Sequence, residues 1–141
     1  MVAVLVAVSG CRPSAPDAKG WQSSAEQAVS DMVSEVATSW LTVRQTLQHR
    51  FVGRYQVVTL TYAEEAARTA ADSVSSLQPP PSARPGYDQL TAVLTDAADA
   101  ISRARVAVTD RDAQTARKSA SALTRELARL RRLQDRLRAA R

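Results

Sequence analysis

The sequence of 141 residues predicts an all-α protein, an antiparallel up-down-up-down four-helix bundle. Three observations predict it. Apolar residues recur at steps of three and four in four separate segments, the period of one helix face. Glycine is scarce, and the prolines fall near the N-terminus and in one internal run, outside those segments. The joints between segments are short enough to force neighbouring helices side by side.

The first helix is expected over 23–49. Ser23 and Glu26 have the spacing of a capping box, with Trp21 just ahead of the cap. Ala25, Val29, Met32, Val36, Trp40, Val43 and Leu47 then mark its inward face. The pattern fails near Gly53. The second helix is expected over 54–78, with Tyr55, Val58, Tyr62, Ala66, Thr69, Ser73 and Leu77 inward. Residues 57–62 (VVTLTY) would equally suit a strand. No second strand is available to pair with it, and Ala63 to Arg68 strongly favour helix, so helix is the reading. Glu64, Arg68 and Asp72 alternate in sign at steps of four.

Residues 78–86 (QPPPSARPG) read as a stiff linker, because each proline removes a donor and restricts its predecessor. The third helix, expected over 86–109, has the cleanest stripe: Tyr87, Leu90, Leu94, Ala97, Ile101, Ala104 and Val108. Asp110 or Asp112 is the expected N-cap of the fourth helix, placed over 112–140. Its stripe is Ala116, Ala120, Leu123, Leu127, Leu130, Gln134 and Leu137, flanked by Leu133. Helices of about 36 to 44 Å follow from the rise per residue. Ala66, Ala97, Ala104, Ala116 and Ala120 make the expected core small, so stability is expected to lean on the leucines of the fourth helix and on Trp40.

Ahead of the bundle, residues 2–8 (VAVLVAV) form an apolar run that leads into Ser9, Gly10 and Cys11, the sole cysteine. That order resembles a bacterial lipoprotein signal, in which a small residue precedes a cysteine that is acylated. The resemblance implies a signal remnant over 1–10 and a lipid on Cys11, which tethers the protein to the extracytoplasmic face of a cell membrane. No Lys or Arg precedes the apolar run, so it also implies a basic n-region encoded upstream. The run is too short to span a bilayer, which takes about 20 apolar residues. Residues 11–22, small, polar and proline-bearing, read as a flexible tether, with the bundle filling 23–141. Together with the linker Leu77-Gln78-Pro79-Pro80-Pro81 and an all-helical body, the chain resembles small lipoproteins of high-GC Gram-positive bacteria. The alternative is a cytoplasmic protein whose thiol is incidental.

Charge is uneven along a chain of net +5. Residues 21–43 carry Glu26, Asp31 and Glu35 and no basic side chain. Residues 125–141 carry seven arginines against Glu126 and Asp135. Arg125, Arg129, Arg132 and Arg136 form a stripe opposite the leucines. They are candidates to contact an anionic surface, although a solvated face turned toward the acidic first helix is the favoured account of them. Nucleic acid is not expected as a partner.

One histidine, His49, and one cysteine preclude the usual zinc and haem sets within one chain, and no cofactor or metal is expected. Asp96 and Asp99 are placed on the outer face of the third helix, with Asp99 pairing to Arg103. No nucleophile elbow, P-loop, HExxH or dinucleotide-binding glycine motif occurs, so no enzymatic role is expected. Three readings follow. The first is a non-catalytic, membrane-tethered module that binds an unknown protein partner or organises the envelope. The second is a carrier or sensor of a small apolar ligand between the helices, lined by Trp40, Tyr55, Tyr62 and Tyr87. The third is a cytoplasmic basic protein that binds an acidic polymer.

Overall fold

The structure, a computed structural model, describes residues 18–49 and 53–140. These form four helices: α1 (Ala18–His49), α2 (Arg54–Ser75), α3 (Arg84–Thr109) and α4 (Ala113–Ala139). Each packs on its neighbours in the cyclic order α1, α2, α3, α4. Among the described residues α1 and α3 also touch across the diagonal, whereas α2 and α4 do not. The bundle is therefore flattened. Its short diagonal runs through α3, where Ala97, Ala98, Ala100, Ala104 and Ala107 are all buried. Small side chains let helix axes approach closely. The expected signal remnant over 1–10, Cys11 and residues 12–17 of the expected tether lie outside the described residues.

At 32 residues, or about 48 Å, α1 is longer than the spacing at Ser23 implied. Residues 18–22, read as tether, are its first turn and more. Tertiary contacts explain the extension. Trp21 is buried in the core, and the Gln22 side chain donates to the Leu137 carbonyl near the end of α4 (3.1 Å). Ser23 is exposed in the second turn and does not cap the helix. Ala25, Val29, Met32, Val36 and Val43 face inward as their spacing required, while Trp40 and Leu47 are half-buried at the core margin.

The segment 57–62 is helical, within α2. This helix ends at Ser75, three residues before the expected stop. The linker then closes a turn in which the Ala83 amide donates to the Pro80 carbonyl (2.9 Å). In turn α3 starts two residues early, at Arg84, with Pro85 in its first turn. Proline is admissible there because first-turn amides have no helical partner. The Tyr87 hydroxyl donates to the Ser75 carbonyl (3.1 Å) and ties the start of α3 to the end of α2.

The joint between α3 and α4 is compact. The amide of Arg111 donates to the Val108 carbonyl (3.2 Å) and that of Asp112 to the Ala107 carbonyl (3.0 Å), closing a Schellman motif. Arg111 sits in the left-handed region with φ 56°, where glycine is the usual occupant. Asp112 then caps α4, its carboxylate accepting from the amides of Gln114 and Thr115 (3.0 Å each) and from the Thr115 hydroxyl (2.6 Å). These bonds, the Thr115 hydroxyl foremost, hold its carboxyl below the usual range. Leu123, Leu130 and Leu133 of α4 are buried, with Leu127, Leu137 and Ala120 packed at the margin.

Candidate functional site

The site is built on α2, which carries two stripes. Leu60, Ala63, Ala67, Ala70 and Val74 are buried against the other helices. The expected inward stripe is on the other side. Tyr55 is 76% exposed, Val58 45% and Tyr62 68%, and Ala66, Thr69 and Ser73 are exposed below them. The two stripes are one residue apart in sequence, a rotation of about 100° on a helix. Small residues win the interior because α2 then sits close to its neighbours, and this corrects both the stripe and the core role given to Ala66. Glu64, next to that face, is buried and donated to by Arg68 (2.8 Å) and by Arg105 of α3. Asp72 joins no ion pair among the described residues, so the i,i+4 ladder stops at Arg68.

Between the outward face of α2 and α1 runs an open groove. Tyr55, Val58, Tyr62 and Ala66 line one side, and Asp31, Ser34, Glu35 and Thr38 the other. Serine and threonine on α1 opposite alanine on α2 leave the channel unfilled. Glu65 also lines it, so among the described residues the groove has three carboxylates and no Lys, Arg or His. None of the three is in an ion pair among the described residues. Asp31 accepts from the Gln27 side chain (2.7 Å). Burial, and then the negative charge of Asp31, push the Glu35 carboxyl above its usual range.

The four aromatics expected to line a cavity do not meet. Tyr55 and Tyr62 line the open groove, but Trp40 and Tyr87 do not. Trp40 lies beneath the Arg44 guanidinium (5.2 Å to the ring centroid), a cation–π arrangement at the bundle surface. Tyr87 is occupied by its bond to the Ser75 carbonyl.

The arginine stripe of α4 is divided. Arg129 donates to Asp96 of α3 (3.0 Å) and to Glu126 (2.9 Å), and these two bonds hold its proton more tightly than usual. Its charge is thus answered by α3, not by the acidic α1. Arg125, Arg132 and Arg136 are exposed and join no ion pair among the described residues. Arg138 and Gln134 of α4 line a groove together with Ser23, Glu26 and Gln27 of α1. Asp96 is accordingly a helix-joining residue, while Asp99 and Arg103 form no ion pair among the described residues.

Among the described residues no cluster of three His, Cys, Asp or Glu side chains can hold a metal, and no helix is long and apolar enough to cross a membrane. His49 is the last residue of α1. The groove thus combines exposed Tyr55, Val58 and Tyr62 of α2 with the carboxylates of Asp31 and Glu35 on α1 and Glu65 on α2. The sequence reading passed over Asp31, Glu35 and Glu65 as part of it. The signal that finds them is the regular 3-4-3-4 spacing of Leu60, Ala63, Ala67, Ala70 and Val74, which turns the tyrosines outward. No family model, curated protein sequence or solved structure matches the chain.

Proposed function

We propose that the protein is a membrane-tethered extracytoplasmic lipoprotein, held by lipid on Cys11, whose bundle is a non-catalytic protein-interaction or envelope-organising module. The observation that carries the interaction role is the exposure of Tyr55, Val58 and Tyr62 on one helix face. Exposed aromatics gathered on one surface are the usual anchors of protein interfaces. The order Ser9, Gly10, Cys11 supports the anchor. Since α1 begins at Ala18, six residues separate Cys11 from the bundle. They span at most about 20 Å when extended, so the bundle stays close to the bilayer. Arg125, Arg132 and Arg136 suit that position, because exposed unpaired guanidinium groups are attracted to anionic headgroups.

Metabolic labelling with a radioactive fatty acid tests the anchor: the wild type takes up label and fractionates with membranes, and Cys11→Ala does neither. An unlabelled wild type contradicts it. In the same cells, a photo-crosslinking residue at position 62 is expected to capture a protein that the same residue at exposed Thr124 does not. Equal capture at both positions contradicts the interaction role.

A further inference from the structure

The groove between α1 and α2 specifies more than the presence of a partner. Its α2 side offers Tyr55, Val58 and Tyr62 as an exposed apolar stripe. Among the described residues its charge is wholly negative, from Asp31, Glu35 and Glu65, in a chain whose net charge is +5. An approaching cation would offset the repulsion between Glu35 and Asp31. From Tyr55 to Ser73 the groove runs about 27 Å, or five helical turns.

We propose that this groove docks a cationic amphipathic helix of a partner protein. Its apolar stripe lies on Tyr55, Val58 and Tyr62, and its Lys or Arg flank meets Asp31, Glu35 and Glu65. The proposal rests on the reading of the bundle as an interaction module and gives the partner its chemistry. A second copy of this chain does not fit. Its basic helix, α4, has arginines outside, but Leu123, Leu130 and Leu133 are buried in its own core. An anionic lipid surface does not fit either, since three carboxylates repel it.

Calorimetry on the full chain with three synthetic helical peptides of about 18 residues tests this. All three share one leucine stripe, and the polar face is lysine, glutamine or glutamate. The lysine peptide is expected to bind one to one, more weakly as salt rises. Binding is expected to fall about tenfold or more with Tyr55→Ser/Tyr62→Ser, and again with Asp31→Asn/Glu35→Gln/Glu65→Gln. Circular dichroism checks that both variants remain helical. Lysine-peptide binding that neither set weakens overturns the placement. Tyrosine-dependent binding of the glutamine peptide at equal strength overturns the cationic chemistry but leaves the docking reading standing. Tyrosine-dependent binding by none of the three overturns both.

Discussion

Burial pushes the Glu64 carboxyl up, but donation from Arg105, Ser102 and Arg68 outweighs it and holds the group below its usual 4.5. A charge-assisted bond of this kind contributes about 2 kcal/mol when its partner is held in place. The sign follows from linkage. Because the folded carboxyl is the stronger acid, its contribution is complete above pH 4.5 and is lost as pH falls through the folded value. Glu64→Gln is therefore expected to lower the urea-unfolding free energy by about 2 kcal/mol at neutral pH. The gap from wild type should close in acid. A gap that stays constant from pH 7 to pH 3 would show that Glu64 acts through its shape alone. Glu35 has the opposite tendency, since burial and Asp31 disfavour its charged form, and Glu35→Gln removes a cost of folding. An uncompensated charge persists where something outside the fold can answer it.

At the scale of the element, α3 and α4 were legible in the sequence almost residue by residue. Leu90, Leu94, Ala97, Ile101, Ala104 and Val108 of the expected α3 stripe and Ala116, Leu123 and Leu130 of the α4 stripe are buried, so spacing and direction agree. The second helix was legible in type and extent but not in rotation. Tyr55, Val58 and Tyr62 face solvent, and Leu60, Ala63, Ala67, Ala70 and Val74 face the core. Ranking by side-chain size chooses the tyrosines, whereas the stripe that packs is Leu60 and Val74 with three alanines between them, which lets α2 close on both α1 and α3. The start of α1 was missed for a related reason. A capping signal is local, while Trp21 and Gln22 are held by distant parts of the chain. The groove's carboxylates could be counted in sequence, but their gathering around the tyrosines depends on the rotation of α2. Two adjacent substitutions test that rotation by thermal or urea unfolding. Ala67→Leu, at a fully buried site, is expected to cost about 2 kcal/mol through overpacking. Ala66→Leu, exposed beside it, is expected to change stability by less than about 0.5 kcal/mol. Equal losses at the two positions, or the reverse order, would contradict the packing.

For the molecule as a whole, the flattened bundle puts α2 and α4 at opposite corners. One corner carries exposed tyrosines beside carboxylates, and the other carries Arg125, Arg132 and Arg136. The proposed function would turn the arginine corner toward an anionic membrane and leave the tyrosine groove facing away from it. That arrangement depends on the tyrosines being surface residues that the core does not need. The thermal midpoint of full-length Tyr55→Ser/Tyr62→Ser, measured beside the wild type, tests this most directly. Surface substitutions usually change stability by no more than about 0.5 kcal/mol each, so the midpoint of the double variant should stay within about 5 °C of wild type. Truncating buried aromatics costs about 3 kcal/mol or more each, and a midpoint lowered by about 10 °C or more would return the tyrosines to the core and remove the groove.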